Sequence, residues 1–135
     1  MSKPDQKCAE ILGYKMVWFD RVTDFGGDWS QTGPYQDKAD CRHKAIAYWQ
    51  EPDGTCLVLV GDFSPTTDST WLPRLFSHVA ALHVESTYLD YLVDIVLPYA
   101  HYELRSREIW HIVTAAPSQH VEAFIRTCGY EAGTA

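Results

Sequence analysis

Long hydrophobic runs are absent from this sequence of 135 residues. No apolar stretch is longer than that of CLVLV at positions 56–60, far shorter than the roughly 20 apolar residues that a membrane-spanning helix needs. The first ten residues, MSKPDQKCAE, lack the apolar core of a secretory signal. We therefore expect a soluble, cytoplasmic protein with no membrane partner.

Positively charged residues are scarce. The chain has 11 Lys and Arg against 18 Asp and Glu, a formal net charge of -7, and the two signs alternate without a basic patch. Proteins that bind the phosphate backbone of nucleic acids need such a patch, so nucleic acid is not expected as a partner. A mimic of nucleic acid would need dense, uncompensated carboxylates, and the same alternation of charges argues against it.

Cysteines are few, and the usual catalytic signatures are missing. Cys8, Cys41, Cys56 and Cys128 form no Cys-x-x-Cys pair, which speaks against a zinc knuckle and a thioredoxin-like centre. The chain also lacks a Gly-x-Ser-x-Gly elbow, a phosphate-binding loop and the two paired Glu-x-x-His motifs of a di-metal site. We therefore expect no catalytic residue, metal or cofactor, and we predict that the cysteines are small buried side chains.

The histidines leave one enzymatic alternative open, a small metal-dependent hydrolase built from scattered His and Asp residues. His78 and His83 are five positions apart, which on a helix separates them by about 140° and prevents joint metal ligation. The other residues that could contribute ligands are Cys41 with His43 and the acids Asp62, Asp68 and Glu103. Cys41 with His43 needs distant residues to complete a set of ligands, and the three acids, a nuclease-like cluster, lack an adjacent lysine at motif spacing.

Length and the 46% hydrophobic content predict one compact domain over residues 1–135. The patterns favour an α+β fold, a mixed or antiparallel sheet of about four strands packed against helices, with an α/β three-layer sandwich as the alternative. The predicted elements are a helix at 6–12 capped by Asp5, a strand at 15–19, a helix at 37–50, a turn at 51–54, a strand at 55–62, helices between Ser69 and Leu97 broken near Ser86, a hairpin of HYELR and EIWHIVTA, and a helix from Pro117 to Gly129.

The closing segment REIWHIVTAAPSQHVEAFIRTCGYE, residues 107–131, resembles the carboxyl-terminal pattern of small uncharacterised proteins encoded by temperate bacteriophages. Some of these proteins are grouped as alpha-beta-alpha sandwich domains. The segment AEILGYK, residues 9–15, is similar to their usual start. The resemblance implies a phage accessory protein made in the bacterial host cytoplasm, and it brings no catalytic motif with it.

The segment FDRVTDFGGDWSQTGPYQD, residues 19–37, is rich in aromatic and acidic residues and is interrupted by Gly26-Gly27 and Gly33-Pro34. These breaks argue against a continuous helix or strand and predict a long irregular connection over residues 24–36. Asp20, Asp24 and Asp28 recur every four residues, but calcium loops place their oxygens closer together, so calcium is not expected.

Long connections with aromatic residues are more often functional than disordered. Aromatic rings rimmed by charge are typical of protein-binding surfaces, in which the rings supply affinity and the charges select the partner. We therefore predict binding of a host or phage protein, one role being inhibition of a bacterial defence system, and the acids favour a basic partner. The predicted binding residues are Asp24, Phe25, Asp28, Trp29 and Tyr35.

Overall fold

The computed structural model describes residues 2–23, 26–54, 56–98 and 106–133. Within them the α-helices are α1 (Lys3–Ile11), α2 (Leu72–Ala81), α3 (Glu85–Val96), α4 (Ser106–Val113) and α5 (Pro117–Gly133), and the strands are β1 (Lys15–Thr23), β2 (Trp29–Tyr35), β3 (Lys44–Gln50) and β4 (Leu57–Leu59). All three strand pairings are antiparallel. The predicted α+β class with four strands is confirmed, and the sheet is antiparallel throughout. No helix in these ranges combines the length and apolarity needed to cross a membrane.

Contacts divide the chain into two compact units. The sheet unit is continuous, Gly13–Phe63, and contains all four strands. The helical unit combines Met1–Leu12 with Ser64–Ala135. The single-domain organisation of residues 1–135 stays a prediction.

The sheet has the strand order β2-β1-β3-β4. Cα pairs across β1 and β3 include Phe19 with Ile46 and Arg21 with Lys44, and because side chains alternate along a strand these four residues share one face. On that face the rings of Phe19 and Tyr48 meet edge to face at 5.0 Å. Pairing of β1 with β2 and β3 therefore places Arg21 on this face of the sheet.

The Gly33-Pro34 break falls inside β2, so the prediction of an irregular connection over residues 24–36 was wrong for residues 29–35. Trp18 pairs with Tyr35 and Asp20 pairs with Thr32, so β2 carries one extra residue between these pairs. Gly33 has a φ of 136°, and a Cβ there would lie 2.9 Å from the carbonyl oxygen of Trp18. Glycine thus marks an irregularity within the strand rather than its end.

The helix predicted at 37–50 was also wrong. The Asp37 carboxylate caps only a 3-10 turn, Lys38–Asp40, by accepting from the Ala39 N–H at 2.9 Å, and residues 44–50 form β3. The apolar residues of this stretch fit either a helix or a strand, and pairing with β1 on one side and β4 on the other selects the strand. The predicted strand at 55–62 is shortened to Leu57–Leu59, and the turn at 51–54 is confirmed by the Gly54 N–H donating to the Glu51 carbonyl at 2.8 Å.

α5 is the centre of the helical unit and packs on α1, α2 and α3. Its inner residues Val121, Phe124 and Cys128 are buried as predicted, whereas Ile125 is half-buried. Gly129 was predicted to end this helix but lies within it, since α5 continues to Gly133.

α1 starts one turn earlier than predicted. Ser2, not Asp5, is the N-cap, and its hydroxyl accepts from the Asp5 N–H at 3.3 Å. The Asp5 carboxylate is buried and accepts from the Thr66 N–H at 2.9 Å, the Thr66 hydroxyl at 3.0 Å and the Ser2 hydroxyl at 2.7 Å. Asp5 therefore ties the start of α1 to a residue 61 positions away in the same unit.

The predicted break in the central helical stretch is confirmed, although it lies before Ser86. α2 ends at Ala81 and α3 begins at Glu85, with His83 between them at a φ of 57°.

The predicted strand EIWHIVTA was wrong, because residues 106–113 form α4. Ile109, Trp110 and Val113 fall on one side of this helix at helical spacing, and the Thr114 hydroxyl donates to the Trp110 carbonyl at 2.8 Å. The companion strand HYELR lies outside the described residues.

A buried tyrosine–histidine pair joins α3 to α5. The Tyr88 hydroxyl and His120 Nδ1 are 2.5 Å apart, and the Phe76 ring lies 5.3 Å from the His120 ring. Burial lowers the pKa of His120 below its ordinary value of 6.5 and raises the pKa of Tyr88. His120 is therefore held as a neutral imidazole at neutral pH.

We expect the protein to lose stability as the pH falls below about 6.5, because His120 takes up a proton more readily when unfolded than when folded. This contribution to stability is complete above the unfolded pKa and is lost as the pH falls toward the lower folded pKa. The measurement is the thermal unfolding midpoint from about pH 8 to about pH 5 for wild type and His120→Asn. The variant should show a flatter profile, and parallel profiles would contradict the assignment.

Candidate functional site

The β1–β2 hairpin places the predicted binding residues at two different points. Trp29 opens β2 opposite Thr23 and is 58% exposed, and Asp28 directly before it is exposed. Tyr35 closes β2, is half-buried, and its hydroxyl donates to Thr32 Oγ1 at 3.1 Å. Asp24 and Phe25 lie outside the described residues.

The distance along β2 separates Trp29 from Tyr35. A strand rises about 3.3 Å per residue, so the two Cα atoms are about 20 Å apart. The structure thus brings Asp28 and Trp29 together and does not bring Tyr35 to them. Of the two described rings of this predicted surface, Trp29 is more exposed than Tyr35.

Arg21, which the sequence analysis did not select, completes the Trp29 end. Its guanidinium carbon lies 4.4 Å from the centre of the Trp29 ring, and its Nη2 donates to Gln31 Oε1 at 3.2 Å. Its Nε is buried and has no hydrogen-bond partner in the part of the chain that the structure describes. A cation over the face of an indole is attracted by the electron density of the ring, so Arg21 restricts how Trp29 moves.

Arg21 and Trp29 are eight positions apart, and no periodicity of the sequence joins them. Only the strand pairing shows that they are neighbours, since Arg21 faces Gln31 and Thr23 faces Trp29. We name Arg21, Asp28, Trp29 and Gln31 the hairpin site. Its residues come from both strands and carry one positive and one negative charge.

The expectation of a basic partner rests on five acids, Asp20, Asp24, Asp28, Asp37 and Asp40, and two of them serve the fold instead. The Asp20 side chain is buried and accepts from the N–H groups of Arg42 at 3.2 Å and His43 at 2.9 Å. The imidazole of His43 also contacts this carboxylate, with Nδ1 2.9 Å from Asp20 Oδ2. This side-chain hydrogen bond is the main reason that the pKa of Asp20 is lowered. Asp37 is the cap described above. The remaining described acids of this group, Asp28 and Asp40, are exposed.

The Asp20–His43 pair was not foreseen as a unit, although each residue was considered separately. The carboxylate fixes the imidazole with Nδ1 toward Asp20, and the His43 side chain is 55% exposed. A histidine held in this way has the geometry of a general base or a metal ligand. Burial and the charges of Asp20 and Asp40 raise the pKa of the nearby Cys41, which disfavours its thiolate form.

The hydrolase alternative needs a set of ligands, and none is assembled among the residues that the structure describes: no group of three or more His, Cys, Asp or Glu side chains is close enough to hold a metal. Glu103 lies outside those residues.

The prediction of buried cysteines holds for Cys8 and Cys128 but not for Cys56, which is exposed.

The helical unit has two further surface features. A cavity of about 390 Å³ opens between the first turn of α1 and the first half of α5, with walls that include Pro4, Val121 and Ile125. The charged residues at this cavity, Glu122 and Arg126, pair with each other at 2.6 Å and so offer little net charge to a ligand. The second feature is the α4 patch of Ile109, Trp110 and Val113, which are 49%, 65% and 65% exposed.

No family model, no curated protein and no solved structure matches this chain. The resemblance of residues 107–131 to proteins of temperate phages therefore stays a prediction. The segment itself folds as α4, a short turn and most of α5.

Proposed function

We propose that this is a non-enzymatic protein that acts by binding another protein through the hairpin site. The observation that carries this proposal is the exposed indole of Trp29, which stands at the start of an edge strand and stacks under the Arg21 guanidinium. Tryptophan and arginine are the residues most enriched among those that dominate binding energy at protein interfaces. A ring already restrained by stacking loses less conformational freedom on binding than a free one.

The biological setting of the proposal comes from the resemblance alone. A phage accessory protein acting in the host cytoplasm meets host and phage proteins, and inhibition of a bacterial defence system is one role that such binding can serve. The rival metal-dependent hydrolase has only the Asp20–His43 pair in its favour, since no group of three or more ligands is close together among the described residues.

Replacing Trp29 with alanine should weaken capture of the partner about 30-fold or more, since anchors of this kind contribute about 2 kcal/mol or more. The stability of the fold should change little, because an exposed cation–π contact contributes only about 0.5–1 kcal/mol. The measurement is affinity capture from bacterial lysate, identification of the retained protein, and titration of that protein against each variant.

Trp110→Ala is the matched control for this experiment, since Trp110 is also exposed but lies on α4. It should bind as wild type does. If Trp110→Ala abolishes capture while Trp29→Ala retains it, the binding surface is the α4 patch and the proposed site is wrong. If Trp29→Ala melts far below wild type, the ring serves the fold.

The charge of the partner is a finer part of the proposal and rests on Asp28 and Asp40. If the partner is basic, Asp28→Asn should slow association and reduce its dependence on salt, with a smaller effect on dissociation. Asp90→Asn, an exposed acid on α3, is the control and should change neither rate. Stopped-flow association at low and high salt measures both, and an association rate that does not depend on salt would argue against a basic partner.

A further inference from the structure

β2 is an edge strand whose outer side is open. It pairs with β1 and, among the described residues, with no other strand. Five of its seven residues are exposed, and Gln31 and Tyr35 are half-buried. The backbone N–H and C=O groups along its outer side are therefore placed to pair with another extended chain.

The sequence of β2 leaves its first half unprotected. Natural edge strands usually carry lysine, proline or a bulge that prevents pairing with another strand. β2, with the sequence WSQTGPY, has no charged residue, and its protective features are confined to its end, where Pro34 lacks an N–H and the register shifts. Residues 29–32 thus form a regular, uncharged edge.

Arg21 places a positive charge over this same edge. Its guanidinium extends from β1 across β2, as its contacts with the Trp29 ring and Gln31 Oε1 show. An added strand would run about 4.8 Å beyond β2, within reach of a guanidinium that already lies over β2. One of the five N–H donors of this group is used by Gln31, and no carboxylate is seen paired with it among the described residues.

We propose that the partner presents an extended segment that adds to the sheet as a strand beside residues 29–32, with a carboxylate side chain facing Arg21. This inference rests on the proposed function and names the binding mode and the chemistry of the partner segment. Backbone hydrogen bonds to β2 supply affinity, the Trp29 ring contacts an apolar side chain, and the Arg21 charge selects aspartate or glutamate at one position. A basic residue next to Asp28, outside the paired stretch, is compatible with this arrangement.

The probe is a library of random twelve-residue peptides displayed on filamentous phage and selected on the intact wild-type protein. The enriched peptides should share an acidic residue flanked by apolar or β-branched residues at alternate positions. Synthetic copies are then N-methylated at one amide at a time. In an added strand, N–H groups alternate between pointing at β2 and away from it, so methylation should weaken binding about tenfold at every second residue and little between.

A double-mutant cycle tests the role of Arg21. Changing the acidic residue of the peptide to its amide should weaken binding to wild type by about fivefold to tenfold and should have no effect on binding to Arg21→Gln. Lys44→Gln is the matched control, because Lys44 lies on β3 opposite Arg21 and is farther from the β2 edge. This variant should leave the preference for the acidic peptide intact. Circular dichroism checks that each variant is folded.

Several results would overturn the inference: enrichment of no peptide, sensitivity to N-methylation without a period of two, or an acid preference that survives Arg21→Gln. These results leave the proposed function standing if Trp29→Ala still abolishes capture of the partner. Conversely, peptides that bind as described while Trp29→Ala has no effect on lysate capture would refute the proposed hairpin site for the partner and retain the edge as a peptide-binding strand.

Discussion

Phe124→Ala is expected to lower the free energy of unfolding by about 3–5 kcal/mol, which is a large part of the stability of a small protein. The side chain is fully buried on α5, the helix on which α1, α2 and α3 pack, and its ring lies 5.8 Å from the ring of His78. Truncation removes the favourable free energy of burying the ring. It also leaves a cavity among packed helices, which relax only in part to fill it. Chemical denaturation followed by circular dichroism gives the difference directly.

Phe76→Ala is the control for this experiment, because Phe76 is also aromatic and lies in the same unit but is 40% exposed. We expect a clearly smaller loss there. A loss of less than about 1 kcal/mol at Phe124 would mean that the site collapses around the smaller residue, and the packing on α5 would have to be revised.

Asp5→Ala is expected to cost about 3 kcal/mol, the upper part of the range for hydrogen bonds to a charged group. The variant removes the acceptor for the Thr66 N–H, the Thr66 hydroxyl and the Ser2 hydroxyl together. The Thr66 N–H loses its partner at a site where the carboxylate is only 5% exposed, and desolvated donors without a partner are costly. Urea denaturation of wild type and variant measures the loss.

Asp5→Asn separates charge from shape, since the amide retains one oxygen for the Thr66 N–H. It should lose less than the alanine variant. Asp37→Ala, which removes an exposed cap from a single turn, should lose about 1 kcal/mol or less. Equal effects at Asp5 and Asp37 would show that the bonds to Thr66 contribute little.

The sequence predicted the elements whose signals are local. Pro73 and Pro117 lie in the first turns of α2 and α5, where their missing N–H groups cost nothing, and Gly54 closes the predicted turn at 51–54. The largest error came where distant strands decide the conformation. Residues 44–50 became a strand because β1 and β4 pair with them.

The residues of the candidate site were predicted only in part, because single residues are visible in the sequence but strand pairing is not. Trp29 and Asp28 are conspicuous in the sequence and are exposed in the structure. Arg21 could be found only from the strand register. Tyr35 lies at the opposite end of β2 from Trp29, because residues that are close along a chain are far apart in an extended strand. Asp20 seemed to be a surface charge, but the buried contacts with Arg42 and His43 depend on the approach of β3.

The discontinuous helical unit has a consequence for the order in which the chain matures on the ribosome. The sheet unit leaves the ribosome as one uninterrupted block and has every strand before α2 has been made. α1 is synthesised before the sheet unit, yet α5, the helix against which it packs, is synthesised after it. The fully buried Cys8 and Ala9 of α1 therefore stay without that packing surface until the sheet unit and α2, α3 and α4 have been synthesised, and in the nascent chain they are apolar surface that a chaperone can bind.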